Sequence, residues 1–283
     1  MNRSINVDDG MRPIRRRLLG LVGGCLAAMA LATMACAPAK VSETDERELG
    51  AYEAAYIDSA VHSINDSAIT GYVSALGRSL TSHSSRASLD WHFTVVDTSL
   101  VNAMALPGGF VYVTRGLIEQ SDHADELAGV MAHEIGHVDR RHSIHQLEKR
   151  GKRDLALLML CTLTNACRTL GGAIAVQVGA DAVTAQYSQH DEAEADSMAV
   201  VITVRAGIDP EGLPAFLEKV LKQRREEPTP IDAFFASHPT DEARISVLRR
   251  QIARLPTSSR QLSHDTPEFH DIQARLRALP KPS

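Results

Sequence analysis

Residues 131–142 read MAHEIGHVDRRH, a stretch that sets two histidines and a glutamate within five positions of one predicted helix. His133 and His137 are four residues apart, so on an α-helix their side chains lie about 40° apart and point the same way. Both rings can then reach one metal ion at the distance of about 2.0–2.1 Å that is typical of zinc. Glu134 is turned about 100° from His133, which places its carboxylate beside the ion, where it can take a proton from a metal-bound water.

An ordinary polar helix could also carry this pattern, because two of its five positions are free. The surroundings favour the metal site, since five apolar residues shield the pattern from water: Leu127, Val130, Met131, Ile135 and Val138. Two histidines buried on such a surface would otherwise need hydrogen-bond partners. Gly136 costs the helix about 1 kcal/mol relative to alanine, which favours the close approach of another backbone at this point.

Zinc in such a site has a third protein ligand and keeps its fourth position for water. His142 lies about 140° around the helix from His137, so we expect it at the surface or as an outer partner of the site. The acidic stretch HDEAEAD supplies a better candidate, because Glu192 and Asp196 are four apart and share a helix face. One of them could bind the metal while the other orients a histidine through its second ring nitrogen. The alternative is that this acidic stretch binds no metal and is only the solvent-exposed start of a helix.

The remaining pattern predicts an α+β fold that is mainly helical, with a small antiparallel β-sheet beside the helix that carries the histidines. Apolar residues recur at helical spacing over 46–82, which predicts two helices there. The helix that carries His133 and His137 is expected to begin near Ser121. Strands are predicted at 90–97 and on both sides of the turn Pro107-Gly108-Gly109. The strand after this turn is expected to be either a sheet edge that could bind a peptide or an interior strand. Further helices are predicted within 187–207, 210–223, 226–256 and 266–279.

The N-terminus has the order of a secretory signal, with basic residues, then an apolar run from 18 to 35, then a cysteine. The sequence ATMAC resembles a lipobox, so we expect a lipoprotein-type signal peptide at 1–35, a lipid anchor on Cys36 and a polar tether over 36–48. Residues 49–283 would form a single domain. The almost uncharged segment 154–186 fits a buried helical pair or a lid better than a membrane span, and whether Cys161 pairs with Cys167 stays open. The net charge of −5 argues against nucleic-acid binding.

Four stretches occur in order over roughly residues 46–255: NAMALPGGFVYVTRGLI, DELAGVMAHEIGHVDRRH, YSQHDEAEAD and SHPTDEAR. Together they resemble the gluzincin metallopeptidase family of the CAAX prenyl proteases and HtpX, and most of all its periplasmic BepA/LoiP-like branch. The resemblance implies one zinc ion per subunit, held by His133, His137 and Glu192, with Glu134 as the base.

The same resemblance makes Asp196 an outer partner of the metal site and returns the segment from His238 to Arg244 to it. His238 could then block the open metal position or stabilise the oxyanion of the transition state, and Arg244 would support the ligands from outside.

By this resemblance, the expected activity is that of a zinc endopeptidase of the bacterial cell envelope. It would hydrolyse unfolded or misfolded periplasmic and outer-membrane proteins, bound as extended strands, in protein quality control. We expect the protein in the periplasm, anchored to the outer membrane through Cys36, or else soluble there. No tetratricopeptide repeats follow the last motif, which favours the lipoprotein type of this branch. The alternative function is a weakly proteolytic chaperone or binding protein that keeps the zinc site for structure or in a latent state.

Overall fold

A computed structural model describes residues 40–150, 187–226, 231, 234–235, 238–256 and 262–282. The predicted signal peptide, the first four residues of the predicted tether including Cys36, the segment 154–186 and both of its cysteines lie outside the described residues. Within the described ranges the elements are α1 Glu43–Ala60, α2 Ser67–Thr81, β1 His92–Val96, β2 Ala103–Leu106, β3 Phe110–Thr114, α3 Arg115–Gln120, α4 Ala124–Asp139, α5 His142–Arg150, α6 Gln189–Arg205, α7 Gly212–Glu226, α8 Glu242–Ala253 and α9 Pro267–Ala278. This is the mainly helical α+β architecture that the sequence predicts. A search of these ranges for a helix long and apolar enough to cross a membrane finds none.

The three described strands form a mixed sheet in the order β1-β3-β2, not a wholly antiparallel one. Strands β2 and β3 form the predicted antiparallel hairpin, with Met104 opposite Tyr112, and Gly108 and Gly109 adopt positive φ in its turn. Strand β1 pairs with β3 in parallel, with Val95 opposite Val113. The reason is that residues 97–102 carry the chain across the end of β3, so β1 and β2 flank it. Among the described strands β3 is therefore interior, so of the two alternatives expected for it the interior strand is correct and the edge is wrong.

Helix α1 begins at Glu43, so residues 43–48 belong to the folded domain and not to a tether as predicted. Ser42 and Asp45 form a reciprocal capping box that satisfies the first N–H groups of the helix. Glu46 is 1% exposed and accepts hydrogen bonds from Arg86 at 2.6 Å and Arg141 at 2.7 Å. These charge pairs join α1 to the segment between α2 and β1, which carries Arg86, and to Arg141, which follows α4.

The region around Ser121 differs from the prediction of a helix start. A short helix, α3, precedes α4, and the Ser121 hydroxyl donates to the carbonyl of Leu117 at 3.0 Å, so this serine closes α3. Helix α4 begins three residues later, at Ala124, and Asp265 replaces a local cap by accepting the Ala124 N–H at 3.1 Å.

Helix α4 runs through the centre of the domain, and every residue from Asp125 to Val138 is buried. Two glycines allow other helices to approach it closely. A Cβ on Gly129 would meet the backbone nitrogen of Leu213 in α7 at 2.7 Å, and one on Gly136 would meet the carbonyl oxygen of Ala195 in α6 at 2.9 Å. The close approach predicted at Gly136 is therefore confirmed, and it brings α6 against the face that carries the two histidines.

Candidate metal centre

Helix α4 supplies three side chains to one buried cluster. His133, Glu134 and His137 are 1%, 1% and 2% exposed. The Nε2 atoms of the two histidines are 3.0 Å apart, as expected for rings one helical turn apart that converge on one point.

Helix α6 brings Glu192 to the same point. Ser188 caps this helix and forms a capping box with Asp191, which fixes the first turn that carries Glu192. The Glu192 carboxylate lies 3.5 Å from Nε2 of His133 and 3.6 Å from Nε2 of His137. The sequence left open whether Glu192 or Asp196 faces the cluster, and Glu192 is the one that does.

His238 completes the cluster from the segment before α8. Its Nδ1 lies 3.3 Å from Nε2 of His133 and 3.2 Å from Glu192 Oε1, and the side chain is 2% exposed. Its backbone N–H donates to the carbonyl of Phe234 at 2.9 Å, which holds the residue in place.

These four residues could hold a metal ion, since one donor atom from each lies within 4.8 Å of the others. The contacts measured above, 3.0–3.6 Å, match the edge of a tetrahedron with metal–ligand bonds of about 2.05 Å, which is about 3.3 Å. Two imidazoles and a carboxylate, with a third imidazole at the fourth corner, form a donor set suited to zinc. The residues present therefore fit the metal that the sequence predicts.

Asp196 and Arg244 form the outer support of this cluster. Oδ1 of Asp196 lies 3.0 Å from Nδ1 of His133, the ring nitrogen that points away from the cluster. Arg244 donates to both oxygens of Asp196 at 2.8 Å, and its Nη1 lies 2.5 Å from Glu192 Oε2. One guanidinium therefore connects the carboxylate in the cluster with the carboxylate behind His133.

Sequence reasoning gave His142 no definite role, yet this histidine is 1% exposed and contacts the cluster. Its Nδ1 lies 2.9 Å from Nδ1 of His137, and its Nε2 lies 3.3 Å from Glu194. If His137 donates through Nδ1, His142 must accept there and donate through Nε2 to Glu194. Tyr187 adds a stacking contact, with its ring centroid 3.8 Å from that of His137. Of the two alternatives expected for His142, the surface position is wrong and the position as an outer partner of the site is confirmed.

Glu134 faces the cluster without belonging to the set of four donors. Its carboxylate lies 3.3 Å from Nε2 of His238, and the backbone N–H of Ala105 in β2 acts to lower its pKa. Burial raises the pKa of Glu134, and the charges of His238 and His133 oppose this shift. A carboxylate with a raised pKa next to a metal site suits the role of a general base.

The charges within the cluster also shift the pKa values of the ligand candidates. Burial disfavours the charged form of His133, but Asp196 and Glu192 outweigh burial and raise its pKa to about 9. Burial and the neighbouring histidines lower the pKa of His137 well below its usual value. Burial would raise the pKa of Glu192, but hydrogen bonds with His133 and His238 lower it. The cluster thus holds an ionised carboxylate and a neutral imidazole side by side, and both are in the form that binds a metal.

A mainly helical domain with a buried H-E-x-x-H helix and a glutamate from a second helix has the arrangement of a zincin-type metal site. The model of peptidase family M48 matches residues 67–252 of the chain. The chain belongs to peptidase family M48, whose members are metal-dependent.

Several curated proteins are similar to this chain. The beta-barrel assembly-enhancing protease of Escherichia coli is 31% identical over 241 residues, which cover 83% of this chain and 48% of that protein. Metalloprotease YcaL of Escherichia coli is 29% identical over 164 residues, or 57% of this chain and 62% of that protein. Mitochondrial metalloendopeptidase OMA1 of Schizosaccharomyces pombe is 26% identical over 199 residues, or 70% and 58%. The chain spans about half the length of the beta-barrel assembly-enhancing proteases that it matches.

Proposed function

We propose that this protein is a zinc-dependent endopeptidase of the bacterial cell envelope that hydrolyses unfolded or misfolded periplasmic and outer-membrane proteins. The observation that carries the proposal is the buried set of donors from His133, His137 and Glu192, with the Glu134 carboxylate beside it. His238 either occupies the fourth position or faces the substrate.

In this proposal a zinc ion held by these residues supplies Lewis-acid chemistry, activating water and polarising the scissile carbonyl. Glu134 accepts the proton of the attacking water and returns it to the leaving amine. The Ala105 N–H favours the ionised form of Glu134, which is the form that accepts the proton. Asp196 fixes the ring of His133 by contacting its Nδ1, and Arg244 holds the carboxylates of Asp196 and Glu192 in place by pairing with both.

Substrate binding as an extended strand is proposed along β2 instead of β3. Asn102 and Thr114 form a hydrogen-bonded pair. Because hydrogen-bonded and non-hydrogen-bonded pairs alternate along antiparallel strands, the backbone N–H and C=O groups of Ala103 and Ala105 point away from β3. That outward edge also carries the N–H that contacts Glu134, which would align an added peptide strand with the base. Only an unfolded or loop segment can present such a strand, which favours misfolded proteins as substrates.

The cellular setting rests on the N-terminal sequence and the comparisons. The leader over 1–35 and Cys36 support export and a lipid anchor, with the outer membrane as the site of anchoring. Similarity to a beta-barrel assembly-enhancing protease supports outer-membrane proteins as substrates. Replacing Cys36 with serine should release the protein from the membrane fraction into the soluble periplasm. Unchanged fractionation would contradict the anchor.

Degradation of casein by the purified chain, measured with Glu134→Gln beside it, tests the enzymatic proposal. We expect the variant to lose at least 100-fold in rate while keeping its bound zinc, because the ligands are unchanged. Glu43→Gln is the control, since Glu43 is half exposed and pairs only with Arg47 in α1 among the described residues. Equal rates for wild type and Glu134→Gln would disprove the mechanism.

A latent or chaperone-like state is the second candidate, and the position of His238 favours it, since Nδ1 of this residue lies within the donor set. Neutral imidazole is a good metal ligand and would exclude water from the fourth position. His238→Ala should raise the basal rate of casein degradation if His238 blocks the metal, and lower it if His238 stabilises the oxyanion. An unchanged rate would exclude both roles.

A further inference from the structure

A second group of metal-binding side chains lies at the other end of α4. Asp125 is in the first turn of this helix, Asp209 precedes α7 and His264 precedes α9. One donor atom from each lies within 4.8 Å of the others. Eight residues separate Asp125 from His133, about 12 Å along the helix axis, so this group is distinct from the cluster described above.

The backbones of these three residues are already tied together. The Asp209 N–H donates to the carbonyl of Ser263 at 2.9 Å, and the Asp125 N–H donates to the carbonyl of His264 at 3.1 Å. Ile208 and Ser263 form an isolated parallel bridge. Helix α7 also packs against the same turn, since a Cβ on Gly212 would meet the backbone of Asp125 at 2.3 Å. The donors therefore stand on fixed supports, and a metal would need only small side-chain movements.

Asp125 is the buried residue of this group, and among the described residues His264 is its only ion-pair partner. It is 1% exposed, and its Oδ1 is buried without a hydrogen-bond partner, while Oδ2 contacts Nδ1 of His264 at 2.6 Å. Among the described residues, no lysine or arginine forms an ion pair with Asp125 or Asp209. The nearby Lys219 pairs with Asp122 at 3.0 Å and Glu126 at 2.5 Å. Burial raises the pKa of Asp125, although His264 acts against the shift. A buried carboxylate oxygen with no partner is costly, and a bound cation would remove that cost.

We propose that Asp125, Asp209 and His264 form a second metal site, which binds a divalent transition-metal ion of the zinc class with water in the remaining positions. An imidazole among the donors favours zinc over calcium or magnesium, which prefer oxygen ligands alone. Such an ion would join the first turn of α4 to the segments before α7 and α9. Its role would be structural, because it cross-links three segments around the helix that carries the H-E-x-x-H pattern.

A neighbouring triad of His123, Asp265 and His270 is a weaker candidate. Its donors already pair with one another, since Asp265 Oδ2 lies 3.3 Å from His123 and 2.6 Å from His270. None of the three residues has a buried polar atom without a partner, and this distinguishes the triad from the group that contains Asp125.

Zinc titration of the metal-free full chain, followed by calorimetry and by metal analysis after dialysis, tests this proposal. We expect two zinc ions per chain in the wild type and one in His264→Ala, with the second site weakened at least tenfold. His92→Ala should keep two ions, because His92 is a surface histidine of similar exposure that pairs with Asp90. In a His137→Ala background zinc should still raise the melting temperature, and the added His264→Ala should abolish that rise.

Asp209→Asn provides a second test that does not depend on His264→Ala folding, and it should weaken the same site. Two tightly bound zinc ions in both variants would overturn the proposal. Loss of the second ion in His270→Ala, with both ions kept in His264→Ala, would also overturn it, because that result assigns the ion to the neighbouring triad.

Discussion

Arg244 offers the sharpest test of how the metal centre is held together. Its side chain is 11% exposed, and it pairs with two carboxylates that are themselves nearly buried, Asp196 at 8% and Glu192 at 2%. Replacing Arg244 with methionine keeps much of the volume but leaves both carboxylates without their cation. Removing one partner of a buried ion pair typically costs about 3–5 kcal/mol. His133 still compensates part of the Asp196 charge, so we expect a loss of about 3 kcal/mol in the free energy of unfolding.

Urea denaturation in EDTA, followed by circular dichroism, measures this loss. Arg249→Met is the matched control, because Arg249 is on the same helix and pairs with Glu218 at 2.7 Å but is 42% exposed. An exposed pair of this kind contributes at most about 1 kcal/mol. Arg244→Lys should fall between wild type and Arg244→Met, since an ammonium group cannot form the two-pronged contact with Asp196. The reasoning would be refuted if Arg244→Met lost no more stability than Arg249→Met.

Three further predictions concern residues around the centre. His142→Ala should weaken zinc binding about 10–100-fold in a competition titration, because it removes the partner of a metal ligand, whereas His190→Ala, at 81% exposed, should leave it unchanged. Burial raises the pKa of Glu53 from 4.5 to about 8. Between these two pH values the folded chain keeps a proton that the unfolded chain has released. Stability should therefore fall by up to about 4 kcal/mol between pH 5 and pH 8, and urea denaturation should show a smaller fall in Glu53→Gln. Gly136→Ala should lower the melting temperature because its Cβ would meet the α6 backbone at 2.9 Å, whereas Gly71→Ala, in open space within α2, should raise it.

The features that the sequence predicted well depend only on residues within a single helix or turn. The four-residue spacing of His133 and His137 requires only that the segment be helical, and the turn at 107–109 requires only a tight reversal. The final helix, α9, was also predicted to within one residue at each end, because Thr266 caps it and proline occupies its first turn.

The parts that it missed depend on where an element ends or on what packs beside it. The position of His142 was extrapolated along a continuous helix, but α4 ends at Asp139 and the chain turns at Arg141, which has a φ of 55°. That turn brings His142 back toward His137, and no angle measured around a straight helix could show it. The parallel pairing of β1 likewise depends on the path of residues 97–102 around the end of β3, which has no local sequence signal.

The pairing of Glu192 and Asp196 with the histidines of α4 depends both on residue spacing in the sequence and on how α4 packs against α6. Helices α4 and α6 come closest where Gly136 meets Ala195. His133 and His137 lie three residues before and one residue after Gly136, and the two acidic residues have the same offsets from Ala195. Both pairs of side chains therefore flank the point where the helices come closest, and there Glu192 meets His133 and His137. Because Gly136 has no Cβ, the backbone at Ala195 can approach closely enough to bring these acids to the histidines.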